Sequence, residues 1–236
     1  MSSSAYVDVG EMRKKYKDHS DAFTENDLEA KEPIGQFKSW FDHACKNAGE
    51  YEANAMILST ASKDGTPSCR PVLLKGFGPE GFMFFTNYQS RKARDLDENP
   101  KAALTFFWNT LQRVIRVEGS VEKVPSSVSE KYFHSRPRPS QIGACASNQS
   151  EVIAGRAVLI GKANELNTQY PEGTDIPCPH FWGGYLVVPH SVEFWQGQSD
   201  RLHDRIKFRQ KKPGEEPDGN ILHAGEGNWV FERLAP

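Results

Sequence analysis

Ala55-Met-Ile-Leu-Ser-Thr60, Asp64-Gly65 and Cys69-Arg-Pro-Val-Leu-Leu-Lys75 read in order as a strand, a tight turn and a returning strand. Asp-Gly is a strong hairpin signal because the turn needs positive φ, which glycine takes without a steric cost. A second turn, Gly78-Pro-Glu-Gly81, leads into a third strand, Phe82-Met-Phe-Phe-Thr86. Ser90 to Glu98 reads as a short helix that Asn99-Pro100 stops, and strands follow over Ala102 to Trp108 and Arg113 to Val121. Five short strands with one brief helix among them predict an antiparallel barrel rather than a doubly wound sheet.

Working outward, Pro33 suits a first helical turn. Ile34, Phe37, Trp40, Phe41, Ala44 and Cys45 then recur at helical spacing, predicting an amphipathic helix that ends near Gly49. Residues 1–31 are polar with isolated aromatics and read as an arm, partly flexible and ordered only where it docks; residues 32–236 read as a single domain. Beyond the barrel strands, Ser127-Val-Ser-Glu130 has capping-box spacing ahead of Lys131-Tyr-Phe-His-Ser-Arg136. Pro137 and Pro139 break that helix, Gln141 to Ala146 forms a further turn or two, and Ser150 caps a longer helix through about Tyr170. Trp182 to Val188, Ser191 to Gln196, Arg205 to Arg209 and Asn228 to Arg233 read as closing strands, with residues 211–220 an exposed loop. The class is α+β, mainly β.

The chain has 236 residues, long enough to bury a core without disulfides or metals, and a formal net charge of −2. That balance gives no global attraction to nucleic acid or to a membrane surface. Cys45, Cys69, Cys145 and Cys178 are scattered without a Cys-x-x-Cys pair, which argues against a zinc site and fits reduced thiols in the cytoplasm. The N-terminus lacks the apolar run of a signal peptide, and no segment approaches the ~20 apolar residues that span a bilayer.

Four basic clusters are candidates for a ligand site. On the returning strand, Arg70, Val72 and Leu74 share one face by alternation and Lys75 lies on the other. The bland alternative is two solvated charges flanking an apolar run. Thr86, Ser90, Arg91 and Lys92 gather where a strand passes into a helix start, whose dipole and free N–H groups suit a phosphate. Cations there are mildly unfavourable on their own, so they point to an anionic ligand. Tyr132 and Arg136, four apart, share a helix face, and with Ser140 they offer a phenol, a guanidinium and a hydroxyl to one anion. His134 lies on another face with no second histidine at ligand spacing.

The fourth cluster is Trp195-Gln-Gly-Gln-Ser-Asp-Arg-Leu-His-Asp-Arg205. It is too charged for a core strand and too aromatic for a surface loop, which suits a wall receiving a planar anionic ligand. If the strand is regular, Arg201, His203 and Arg205 share one face, while Asp204 points away and anchors backbone or an arginine. An imidazole beside two guanidiniums is a candidate acid–base or polarising group. The chain has no Gly-x-Gly-x-x-Gly opening a helix, no Walker loop, no His-Glu-x-x-His and no Gly-x-Ser-x-Gly. The basic clusters alternate with apolar strands instead of forming one stripe, which disfavours nucleic acid.

Three of these stretches, Trp195-Gln-Gly-Gln with Arg201-Leu-His-Asp-Arg205, Tyr132-Phe-His-Ser-Arg136-Pro, and Phe85-Thr-Asn with Ser90-Arg-Lys92, resemble the pyridoxine/pyridoxamine 5′-phosphate oxidase family in type and order. The likeness runs from Met12-Arg-Lys-Lys-Tyr16 to Glu232-Arg-Leu-Ala-Pro236. It implies an FMN-binding split β-barrel with flanking helices, a homodimer with FMN at its interface, and oxidation of pyridoxine or pyridoxamine phosphate to pyridoxal phosphate. Dioxygen would reoxidise the flavin and give hydrogen peroxide. The FMN positions implied are Arg70, Pro71, Val72, Leu73, Phe85, Thr86, Arg91, Lys92, Gln149, Ser150, Trp195 and Arg205. The substrate positions implied are Lys75, Tyr132, Arg136 and Ser140, with Arg201, Leu202 and His203 closing over the ring and Arg13, Tyr16 and Lys17 reaching in from the arm. Arg201 and His203 are the catalytic pair on this reading, and no metal is implied.

Where the family has a flavin-contacting glutamine this chain has Val114, with Gln112 two residues earlier, which implies altered flavin affinity before loss of chemistry. A split-barrel flavoprotein with another substrate would keep the flavin positions without the combined Tyr132, Arg136, Ser140, Arg201 and His203. A non-catalytic binder of FMN or pyridoxal phosphate would keep both sets and is separated from the oxidase only by turnover.

Overall fold

The computed structural model describes residues 11, 12, 16, 22–47 and 52–236. Strand β1 (Ala55–Ala61) buries Met56, Leu58 and Thr60 and turns Ile57 and Ser59 outward, the alternation of a strand with one covered face. It pairs with β2 (Pro67–Leu73) through the Asp64-Gly65 turn. Gly65 takes φ +86°, and the Asp64 carboxylate accepts the Ser62 hydroxyl and the Thr66 N–H. A three-residue strand, β3 (Gly76–Gly78), joins β4 (Gly81–Asn87); it escapes sequence reading because two of its residues are glycine. After α2 (Arg91–Glu98), β5 (Lys101–Trp108) pairs with β1 and with β6 (Arg113–Lys123).

Strand β7 (Trp182–Gln196) explains how the barrel is split. From Tyr185 to Gln196 it pairs with β6 on one side. On its other side, Trp182 to Val187 pairs with β4, whereas Ser191 to Gln196 pairs with β8 (Asp204–Gln210). The two closing strands expected over Trp182 to Val188 and Ser191 to Gln196 are therefore one strand that changes partner at Pro189. There the β6–β7 register shifts between Glu118 and Gly119, with His190 the extra residue on β7. A side chain at Gly119 would lie 2.1 Å from the Val188 carbonyl oxygen, so this close approach requires glycine. Strands β10 (Trp229–Arg233) and β9 (Leu222–Ala224) complete the β8 edge, with β9 just after the loop expected over residues 211–220.

Helix α1 (Pro33–Asn47) places Phe37, Trp40 and Ala44 against the sheet interior. Phe37 is fully buried, with ring centroids 4.9 Å from Phe82 and 5.0 Å from Phe106. Truncating such a ring to alanine costs about 3–5 kcal/mol. A second, smaller core forms where α3 (Ser126–Ser135), α4 (Arg138–Ala146) and α5 (Arg156–Gln169) meet the start of β7, around Phe133, Ile142, Ile176 and Trp182. The capping box expected at Ser127 is absent: Pro125 is the N-cap of α3 and Ser127 lies inside the helix. Pro139 does not break a helix but occupies the first turn of α4, where its missing N–H has no intrahelical partner to lose. Nor does Ser150 cap α5, which starts after Gly155. Among the described residues no helix is long and apolar enough to cross a membrane, and no cluster of His, Cys, Asp or Glu could hold a metal ion.

Candidate active site

An open cleft of about 1000 Å³ lies where β2, the ends of β4 and α2, and the α3–α4 corner converge. Its wall carries Arg70, Lys75, Arg91, Lys92 and Arg136 and, among the described residues, no carboxylate. All the expected positions from Arg70 to Ser150 line it: Arg70, Pro71, Val72, Leu73, Lys75, Phe85, Thr86, Arg91, Lys92, Tyr132, Arg136, Ser140, Gln149 and Ser150. Arg70 and Lys75, expected on opposite faces of one strand, share the wall because β2 ends at Leu73 before Lys75 is reached.

One corner is built on the β4-to-α2 connection. Lys92 is buried, and its ammonium donates to Gln149 Oε1 (2.7 Å), Thr86 Oγ1 (3.0 Å) and Ser90 Oγ (3.3 Å), all neutral acceptors. Burial, and then the nearby Arg70 charge, push its pKa down to about 8. Arg70 is held by Thr60 Oγ1, Ser68 Oγ and the Leu58 carbonyl, with Asp95 at 3.9 Å behind it. Ser150, at φ +76°, accepts the backbone N–H of Arg91. It therefore caps α2 from a distant loop, which sequence spacing could not show.

The other corner is built on aromatic rings. Phe85 stacks on Tyr132 at 4.1 Å, and Trp182 lies nearly parallel to Phe85 at 5.6 Å. Arg136 rests 4.8 Å above Trp182, and its Nη1 is buried with no hydrogen-bond partner among the described residues. Burial lowers its pKa, partly opposed by Tyr132 and Cys145. Lys75 Nζ stands 5.9 Å from the Tyr132 ring centre. Trp182 went unremarked in the sequence as a site residue, although an aromatic just after a Pro-rich connection was its one signal.

The C-terminal segment lies elsewhere. Trp195, Arg201, Leu202, His203 and Arg205 are not part of the cleft wall. Residues 201–203 also form no strand: β8 begins at Asp204, and Arg201 takes φ +69°, so the expected shared face of Arg201, His203 and Arg205 does not exist. Arg201 and Leu202 are exposed, and the His203 ring lies 4.7 Å from Trp195. Tyr16 meets both rings edge-on, at 6.3 Å from Trp195 and 5.9 Å from His203. Arg13 and Lys17 lie outside the described residues.

Register places Phe107, Val114, Trp195 and Arg205 in one row across β5, β6, β7 and β8. Phe107 is 62% exposed on it. In the adjacent row, Pro71, Ile57, Thr105, Arg116 and Glu193 follow one another from the cleft edge. Buried Glu193 binds Arg205 Nε at 2.8 Å and Arg116 at 2.9 Å, and this hydrogen bond raises the Arg205 pKa. The sheet order puts five strand spacings, roughly 24 Å along the sheet, between β2 and β8.

Residues 42–170 match the family model described as pyridoxamine 5′-phosphate oxidase. Residues 182–236 match the pyridoxine 5′-phosphate oxidase C-terminal dimerisation region. A pyridoxine/pyridoxamine 5′-phosphate oxidase of Bombyx mori is 55% identical over 98% of this chain and 90% of its own length. The pyridoxine-5′-phosphate oxidase of Bos taurus is 51% identical over 100% and 90%. Among solved structures, PhzG from Burkholderia lata, in complex with tetrahydrophenazine-1-carboxylic acid, superposes with TM-score 0.76 at 31% identity, covering 91% of this chain and 98% of that one. An FMN-binding protein of Nostoc punctiforme shares the fold, with TM-score 0.61 at 15% identity over 85% and 97%.

Proposed function

The chain belongs to the pyridoxine/pyridoxamine 5′-phosphate oxidase family, and from that membership we propose how its residues carry out the reaction. It is a flavin-dependent oxidoreductase that converts pyridoxine 5′-phosphate and pyridoxamine 5′-phosphate to pyridoxal 5′-phosphate, with dioxygen as electron acceptor and hydrogen peroxide as product. The flavin we assign is FMN, and the compartment we assign is the cytoplasm. One observation carries the assignment of the cleft: five cationic side chains face it, no carboxylate lines its wall, and among the described residues only Arg70 has an acidic partner, Asp95 at 3.9 Å behind it. Uncompensated buried cations are costly, so a wall of this kind is stable when anionic ligands complete it.

The residues divide between two phosphates. Thr86, Arg91, Lys92, Gln149 and Ser150 hold that of FMN, with Arg70 beside them and the β2 backbone along the flavin. The neutral partners of the Lys92 amine support this, since a phosphate supplies the missing countercharge. Lys75, Tyr132, Arg136 and Ser140 hold the substrate phosphate, and the partnerless Arg136 Nη1 is the donor that supports this. A flavin held there would supply the hydride acceptor and the route for electrons to dioxygen. The protein's task is to fix the substrate carbon against it, and positioning of this kind accounts for several kcal/mol of barrier reduction.

The C-terminal dimerisation region makes the chain a homodimer. We assign FMN to its interface, with Trp195 and Arg205 of one protomer meeting the flavin in its partner's cleft and Arg201, Leu202 and His203 closing over the substrate there. The exposed row from Phe107 to Trp195 is the face that packs on the partner. The absence of Trp195 and Arg205 from the cleft wall of their own chain supports this arrangement. The test is direct: purified protein should show flavin absorbance and form pyridoxal phosphate in air from both substrates. Flavin without turnover of either one would leave a binding protein.

A further inference from the structure

His203 is held by a contact that fixes which of its nitrogens carries a proton. The backbone N–H of Gln198 donates to His203 Nδ1 at 3.0 Å. Nδ1 must therefore present its lone pair, which leaves the neutral ring's hydrogen on Nε2. A proton on Nδ1 would set two N–H groups against each other. The donor is itself fixed. Gly197 N–H donates to the Gln112 carbonyl, Arg201 N–H to the Gln198 carbonyl, and Leu202 N–H to the Asp200 carboxylate, so the loop doubles back to bring residue 203 beneath residue 198. The left-handed Arg201 makes that bend.

Asp204 anchors the arrangement from below. Its Oδ2 accepts the Gln198 side-chain amide at 2.8 Å and the Phe23 N–H at 2.9 Å, and its Oδ1 accepts Arg233 at 2.9 Å. Arg233 in turn holds Glu25 and the Phe23 carbonyl. The carboxylate can only accept, so the Gln198 amide nitrogen must point at it. The segment 22–25, the loop and the C-terminal strand thus meet at one buried carboxylate.

We propose that His203 acts in the reaction as an Nε2–H hydrogen-bond donor and not as a proton acceptor, and that Gln198, seated on Asp204, is the positioning residue that makes it so. The proposal rests on the oxidase reading above. The chemistry is compatible with a donor: hydride leaves the exocyclic carbon for the flavin, a proton leaves the alcohol oxygen or amine nitrogen for solvent water, and the aldehyde oxygen or imine nitrogen that results keeps a lone pair to accept the Nε2 hydrogen. A donor at Nε2 therefore matches the group that oxidation leaves and orients the exocyclic position. In its neutral form Nε2 has no in-plane lone pair with which to take the hydroxyl proton.

The test is 15N NMR of ring-labelled holoenzyme, with the His203 signals assigned by their loss in His203→Gln. The expected result is a neutral ring protonated at Nε2; protonation at Nδ1 overturns the proposal. This readout does not depend on turnover, so it separates failure of the tautomer from failure of the oxidase assignment. Asp204→Asn should keep FMN but yield a mixture of tautomers, and an unchanged single tautomer would remove Asp204 from the positioning role. Kinetics give a second arm, because a glutamine amide reaches the Nε2 position and an asparagine amide only the Nδ1 position. His203→Gln should retain about tenfold more kcat than His203→Asn at equal FMN content, the value of one hydrogen bond. Equal or reversed activity contradicts the donor role.

Discussion

The cleft and the C-terminal segment are both rich in arginine, but they treat the charge in opposite ways. In the cleft, Lys92 has only neutral partners and Arg136 leaves one nitrogen with none. In the C-terminal region, Arg205 is tied to Glu193, Arg209 to Glu215 and Glu232, and Arg233 to Glu25 and Asp204. The difference teaches how to read a basic cluster. Cations whose countercharge is missing await an anionic ligand, whereas cations already paired serve geometry and hold loops and termini in place. On the proposed assignment the site needs both, one to bind phosphates and the other to aim side chains at what the phosphates hold.

The largest effect should come from the cleft. Arg136→Ala should lower kcat/KM for both phosphorylated substrates by about a hundredfold to a thousandfold with flavin content intact, as steady-state kinetics and absorbance would show. A small effect would mean that the partnerless guanidinium nitrogen does not face the substrate phosphate. Lys92→Met should raise the FMN dissociation constant by about ten- to a hundredfold, measured by fluorescence titration.

Lys92 also predicts a pH dependence. Its folded pKa of about 8 lies below the ordinary lysine value of 10.5. In the flavin-free protein its charge thus opposes folding fully below pH 8, and this penalty fades as pH rises from 8 towards 10.5. A bound phosphate favours the charged form, so FMN binding takes up a proton in that window. The rise in Tm on adding FMN should be larger at pH 7 than at pH 10, and the difference should vanish in Lys92→Met. The smallest effect belongs to the paired region. Glu193→Gln should weaken FMN only about threefold to tenfold, because Arg205 keeps its bond to the Ala235 carbonyl.

The two regions also differ in how much the sequence discloses. Barrel strands were readable because burial follows alternation, as in β1, where Met56 and Leu58 are covered and Ile57 is not. The cleft residues were readable because they sit at strand ends and helix starts, where local geometry delivers a side chain to the same place whatever the distant packing. Gln149 and Ser150 entered only through family resemblance, since their meeting with Lys92 and Arg91 depends on how α4 leads back to α2. The C-terminal segment misled on geometry. Arg201, His203 and Arg205 alternate in sequence, but a left-handed residue at 201 and a turn at Asp200 bend the chain before β8 starts. The anchoring role expected of Asp204 was correct, and it binds both backbone and an arginine. Nothing in the pattern shows that Trp195 and Arg205 lie four and five strand spacings along the sheet from Arg70, because side-chain alternation gives the face of a sheet but not the order of its strands.

The central claim is that one protomer's C-terminal segment completes its partner's cleft. The direct test co-expresses Arg136→Ala and Arg201→Ala chains under two affinity tags and purifies the heterodimer. If the site is shared across the two-fold, one of its two sites carries both substitutions and the other carries neither, so the heterodimer should recover about half the wild-type activity. If each chain builds its own site, both sites carry a defect, and activity no greater than that of the single-variant homodimers would contradict the account.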